Sequence, residues 1–192
     1  MVLGCDVSKY QGFVDWTQKK IQGYEFTIIK ATEGSYDVDP QFITNALNAP
    51  LAGLSCGAYH FFHPNQDALS QATLFLKTLG GLKLRAALDW EVSDNMRIPY
   101  QISQAQIWLD AVEHATGVVP IVYSYSAYFK QLNLPKSFAR YPLWLAEYSS
   151  SYSSPSPWQG VNDAIIWQNS GSNGLDHDQF IGDLAAMKAF FG

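Results

Sequence analysis

The sequence predicts an α/β protein in which a mostly parallel sheet curls into a barrel, with helices packed outside it. Three observations carry that expectation. Short apolar runs alternate with helix candidates along the 192 residues, and this alternation lays strands side by side beneath covering helices. Polar and aromatic residues collect where the proposed strands end, whereas the opposite ends hold turn residues such as Gly53, Gly117 and Pro142. In barrels of this class the chemistry sits at the C-terminal ends of the strands. Finally, one strand candidate runs straight into an Asp-x-Glu pair, Leu88-Asp89-Trp90-Glu91.

The elements follow in chain order. Val2–Val7 reads as the first strand and residues 15–22 as a short helix opened by Asp15. Residues 26–31 form the second strand. Asp39-Pro40 offers a cap followed by a proline in the first helical position, which predicts a helix over 39–49. The third strand covers 56–62, and a helix over 67–79 ends at Gly80-Gly81. The fourth strand covers 84–90. A helix over 103–116, capped by Ser103 and stopped by Gly117, comes next. Strands at 118–123, Leu143–Ala146 and 164–167 follow, and Leu184–Phe191 closes the chain as a helix. The segment 148–157, rich in Ser and Tyr with Pro155 and Pro157, reads as a long rim loop within one domain spanning 1–192.

A strand alternates its faces, so Asp89 and Glu91 point the same way and share one small space. Two like charges that close disfavour double ionisation, so one acid keeps its proton near neutral pH while the other stays charged. Glycosidases require that division of labour. The longer Glu91, beside Trp90 and facing Asp89, is expected to be the protonated partner. A helix cap or a solvated strand end is the structural alternative. The same rim gathers Asp6, Ser8, Thr32, Glu33, Tyr59, His60, His63, Tyr123, Ser124, Glu147, Tyr148 and Gln168.

Composition narrows the class. With 47% hydrophobic and 15% charged residues the chain is globular, and a net charge of -5 without a Lys or Arg cluster argues against nucleic-acid binding. Six Trp and 11 Tyr leave aromatic surface for stacking on sugars. Cys5 and Cys56 lie in apolar runs and are expected to be free buried thiols, with a disulfide left open until distances are known. The N-terminal residues carry no export signal and no apolar run spans a bilayer. Work outside the cell then requires release at lysis or a separate export route.

Six motifs resemble one family. Gly4-Cys5-Asp6-Val7-Ser8-Lys9-Tyr10-Gln11, Ile28-Ile29-Lys30-Ala31-Thr32-Glu33-Gly34, Gly57-Ala58-Tyr59-His60-Phe61, Leu88-Asp89-Trp90-Glu91, Pro142-Leu143-Trp144-Leu145-Ala146-Glu147-Tyr148 and Ile166-Trp167-Gln168 occur in order. Together they resemble family 25 of the glycoside hydrolases, the Chalaropsis-type lysozymes or N-acetylmuramidases, which include endolysins. The resemblance implies a modified β/α barrel with fewer helices than strands. It also implies hydrolysis of the β-1,4 bond between N-acetylmuramic acid and N-acetylglucosamine in peptidoglycan, without a cofactor or metal. Its acidic positions map onto Asp6, Asp89, Glu91 and Asp176, with Glu91 as proton donor. Asp89 would activate water or orient the substrate's acetamido group. A monomer with no separate wall-binding module and no membrane or nucleic-acid partner is expected.

The resemblance departs at the closing motif, where Leu175-Asp176-His177-Asp178-Gln179-Phe180 puts an acid in place of the family's Asn. Asp178 reads as a solvated loop residue or a calcium-like turn acid. Tyr59, Tyr123, Tyr148, Glu33, Trp144 and Gln168 are the expected substrate contacts, although Trp144 and Trp167 suit a core better and Tyr123 and Tyr148 suit it equally well. Glu33 could instead cap the helix predicted from Asp39. His60 and His63 could share a metal only if their strand ends before His63. The competing functions are a chitinase-like hydrolase, a metal-dependent deacetylase and a non-catalytic wall-binding barrel.

Overall fold

The computed structural model describes residues 1–172 and 174–192. Eight strands close into a barrel: β1 (Val2–Val7), β2 (Phe26–Glu33), β4 (Ser55–Phe61), β5 (Arg85–Asp89), β6 (Ile121–Tyr125), β7 (Leu143–Ala146), β8 (Ile166–Ser172) and β9 (Leu175–Phe180). The two-residue strand β3 (Asp37–Val38) folds back on β2 as a short hairpin. Neighbours from β1 through β8 run parallel, and β9 closes the circle by pairing antiparallel with both β8 and β1.

Six helices are found among the described residues, fewer than the strands: α1 (Trp16–Ile21), α2 (Phe42–Leu51), α3 (Ala68–Leu79), α4 (Ile98–Thr116), α5 (Ser126–Leu132) and α6 (Leu184–Phe191). Among the described residues no helix lies between β7 and β8, where the loop expected from the sequence is found.

The period-two alternation of the strands divides the core into two layers. Ile29, Ala31, Ala58, Leu88, Trp90, Val122 and Leu145 face outward into a shell shared with the helices. Ile28, Tyr59, Ala87, Ile121, Tyr123, Trp144 and Ile166 face inward and fill the barrel. Met187 and Phe191 of α6 plug the N-terminal end of the barrel, with the Phe191 ring stacked 5.3 Å from Phe26. Gly4 and Gly57 make room for this plug, since a side chain at Gly4 would occupy the space of the Phe26 ring and one at Gly57 would press on Phe191. One mouth of the barrel is thus closed by packing, and the polar groups are left at the other.

Several boundaries differ from the sequence expectation. Asp39 does not cap a helix directly: its carboxylate accepts from the backbone N–H groups of Gln41 and Lys9, both at 2.8 Å, and α2 starts at Phe42. The helix expected from Ser103 starts at Ile98, because a proline, Pro99, occupies its first turn. Ser103 lies inside that helix with its hydroxyl on the Tyr100 carbonyl, 2.7 Å away. Caps by Asp67 and Asp183, and left-handed C-terminal glycines at Gly80 and Gly117, stand where local chemistry puts them. Strand β9 and helix α5 had no counterpart in the sequence reading. Asp178 is neither a solvated loop residue nor a turn acid, since it lies fully buried in β9. Cys5 and Cys56 are free and buried, and burial pushes the Cys56 thiol up to about 12.

Candidate active site

The carboxylates meet at the open mouth because of strand direction. Asp6 and Asp89 stand at the C-terminal ends of β1 and β5, and Glu91 follows two residues beyond Asp89. Since β9 runs the other way, its beginning reaches the same rim, and Asp176 lies opposite Asp6 in register. All four acids singled out by the sequence therefore belong to one mouth.

Their surroundings differ. Asp89 is 5% exposed, and its Oδ1 faces no N–H or O–H donor among the described residues. The Glu91 carboxyl is its partner in charge, and two carboxyl groups this close favour a proton shared between them. Burial raises both acids, Asp89 well above the usual carboxylate range and Glu91 less far. The drier and more crowded member is Asp89, whereas the sequence reading expected that environment for Glu91. Glu91 instead fronts the groove. Lys30, on the inward face of β2, sends its positive charge toward both acids and opposes their rise. Its Nζ donates to Glu33 Oε2 at 2.6 Å, and the ammonium stands 5.0 Å from the centre of the Phe61 ring. The sequence reading passed over Lys30, although its two-residue offset from inward Ile28 marks it as a cation inside the barrel.

Asp6 is held by Gln168, whose Nε2 donates to its Oδ2 at 2.7 Å. Burial, reinforced by the charge of Asp176, raises Asp6 to about 7. The Gln168 carbonyl oxygen accepts from the hydroxyls of Tyr123 at 2.9 Å and Tyr148 at 3.2 Å. The single Tyr148 proton is shared between that oxygen and Asp176 Oδ1, 3.0 Å away. One amide thus ties three strands and a loop tyrosine to a single acid.

A groove of about 420 Å³ opens over this array, lined by Glu91, Tyr123, Tyr125, Lys130, Glu147, Tyr148 and Gln168 among others. Tyr148 is 60% exposed and presents its ring to the solvent side. Lys130 comes from α5, which explains why the sequence reading missed it. Of the expected substrate contacts, Tyr123, Tyr148 and Gln168 line the groove, whereas Tyr59 and Trp144 lie beneath its floor. Trp144 is 1% exposed, its ring 4.3 Å from that of Tyr123 and its Nε1 donating to Asp178 at 2.8 Å, so it supports the floor rather than offering a sugar platform. Trp167 likewise turns its Nε1 to the Glu147 carbonyl. Glu33 caps no helix and sits between Lys30 and His63, whose Nε2 is 3.3 Å away.

The two histidines serve different partners. His60 is fully buried on the outer face, bonded to Thr32 at 2.7 Å and Gln71 at 3.0 Å and stacked on Trp108, and burial pushes it down to about 4. His63 stands at the rim between Asp94 and Glu33.

Gly171 shows how tightly Asp176 is placed. A Cβ at Gly171 would lie 2.6 Å from Asp176 Oδ1 and 3.4 Å from the Tyr148 hydroxyl. The Gly171→Ala substitution is expected to displace the carboxylate while leaving the barrel folded. Misplacements of about 1 Å cost on the order of 10²-fold in rate. Activity near that of the unsubstituted protein, with unchanged circular dichroism, would show that the position of Asp176 is unimportant.

Comparison with known proteins identifies the family and the fold. The family described as "Glycosyl hydrolases family 25" matches residues 5–177. The chain is similar to lysozyme M1 of Streptomyces globisporus, with 30% identity over 98% of this chain and 70% of that protein. It is also similar to the uncharacterized protein YegX of Escherichia coli strain K12, with 35% identity over 97% of this chain and 72% of that protein. Among solved structures, the muramidase from Trichobolus zukalii superposes with a TM-score of 0.91 at 31% identity, covering 100% of this chain and 99% of that one.

Proposed function

The chain belongs to family 25 of the glycosyl hydrolases and is a glycoside hydrolase, and from that premise we propose that it is a muramidase of bacterial peptidoglycan. In this reading the barrel acts as one catalytic domain, monomeric and working at the cell wall. It cuts the β-1,4 bond that joins N-acetylmuramic acid to N-acetylglucosamine. The observation that carries the reading is the layered acid pair: Glu91 lines the groove, and Asp89 lies behind it with a buried oxygen that no donor faces among the described residues.

A glycan seated in the groove covers Glu91 and strips its remaining water, which strengthens its hold on the proton shared with Asp89. Glu91 then gives that proton to the bridging oxygen, and the departing sugar leaves with a neutral hydroxyl. Asp89, ionised once the proton has moved to Glu91, either activates water or steadies the substrate's acetamido group. Lys30 offsets the negative charge created in the pair. Asp6 and Asp176 hold the opposite wall, where Tyr148 and Gln168 connect them. Tyr125 and Tyr148 offer ring faces to the apolar sides of the sugars.

Mass analysis of purified walls after digestion tests this reading. New reducing ends on muramic acid are expected. New reducing ends on glucosamine would reassign the enzyme as a glucosaminidase, and deacetylated but uncut chains would remove it from the hydrolases of this bond.

A further inference from the structure

Asp178 takes no part in the steps above, and its environment is costly for a charged group. It is fully buried on the inward face of β9, between β1 and β8, with Gly4 and Gln168 as its register partners. Its Oδ1 accepts from Trp144 Nε1. Its Oδ2 is buried and faces no N–H or O–H donor among the described residues. What it contacts is the carboxyl of Asp6, and an acid pair in hydrogen-bonding contact is stable only with a proton between its members.

The titratable groups around it add no positive charge. Asp6 and the Cys5 thiol face it from β1, Asp176 from its own strand and the Tyr148 hydroxyl from the loop after β7. His177, its neighbour along β9, is turned toward Tyr24, whose hydroxyl is 3.0 Å from its Nδ1. No lysine or arginine forms an ion pair with Asp178 among the described residues.

We propose that Asp178 is a carboxylic acid kept neutral up to and beyond neutral pH, whose O–H donates to Asp6, so that it acts as a positioning residue through that acid. Asp6 is then gripped on both sides, by the Gln168 amide and by the Asp178 hydroxyl. Ionisation of Asp178 would put two carboxylates in contact without a proton, and Asp6 would leave Gln168. Burial, which raises Asp178 well above the ordinary range, keeps that event on the alkaline side. The proposal rests on the muramidase reading only for its activity readout.

Asp178→Asn is the deciding variant, because an amide reproduces the protonated acid: its oxygen can accept from Trp144 and its N–H can donate to Asp6. Three results are expected. The variant loses one infrared carbonyl band characteristic of a protonated carboxyl group. It retains kcat at about pH 5 within roughly threefold, while the alkaline limb of kcat/KM moves upward by about one pH unit. Its melting temperature gains on that of the unsubstituted protein as pH rises from about 5 to about 8. Asp178→Leu, which keeps the branching at Cγ but is bulkier and cannot donate to Asp6, is expected to lower kcat by more than about tenfold. An unchanged infrared spectrum, a superimposable pH profile, or loss of activity in Asp178→Asn at every pH would overturn the proposal. If the unsubstituted protein does not cut cell walls, the infrared and melting measurements still decide the state of Asp178, so the two readings fail separately.

Discussion

Glu91→Gln is expected to leave a folded protein that binds glycan and clears cell walls at least about 10³-fold more slowly, in the range for loss of a general acid. The side chain keeps its length and its place at the groove, but an amide has no proton to give to a departing sugar oxygen. The same change relieves Asp89. Its pKa is held up first by burial and next by the charge of Glu91, so a neutral neighbour removes the second cause. Glu91→Gln should therefore be more stable than the unsubstituted protein near neutral pH while being nearly inactive. A turbidity assay on purified walls and a thermal melt on the same sample read both effects. Residual clearing above about one tenth of the original rate would remove Glu91 from the role of proton donor. Lower stability with a lost circular dichroism signal would show that the residue supports the fold instead.

The second large effect is a fall in folding stability as pH rises from about 4 through about 7. Asp6 is raised from the ordinary value of 3.8 to about 7, and Asp89, Asp178 and Glu91 are raised as well, each with burial as the leading cause. A group whose folded pKa exceeds its unfolded one binds more protons in the folded state. Its stabilising contribution is complete below the unfolded value and disappears as pH climbs through the folded value. Each acid that remains protonated in the barrel but ionises in the unfolded chain costs about 1.4 kcal/mol per pH unit inside that window. His60, pushed down to about 4 by burial, and Glu33, which burial raises but Lys30 and His63 lower further, contribute in the opposite sense at the acid end. Stability should thus be greatest in mildly acid solution. Urea titrations at about pH 5, 6 and 7 measure the slope, and a flat or rising stability across that interval would mean that these acids are not buried as a cluster.

The layout of the barrel was legible because its strands obey a simple rule. Leu88 and Trp90 go outward and Ala87 and Asp89 inward, so the apolar pattern of residues 84–90 and the facing of Asp89 and Glu91 came from one period-two reading. Strand β9 broke that reading for a reason tied to the site. Its inward positions are Asp176, Asp178 and Phe180, and two of the three are acids, so the strand has no apolar face to recognise. Helix α5 was hidden by brevity, and the true start of α4 by the proline in its first turn.

What the sequence determined by itself was the repeating order of strand and helix and the acids that end two of those strands, because hydrophobic period and the Asp-x-Glu spacing are local properties. What only the tertiary structure decided was the electrical state of each acid. The direction of β9, the burial of Asp178 against Trp144, the placement of Lys30 facing Asp89, and the order in which Asp89 lies behind Glu91 all depend on which strands become neighbours when the barrel closes. A carboxyl group keeps or loses its proton according to the charges and the water around it, and those are fixed by contacts between residues far apart in the chain.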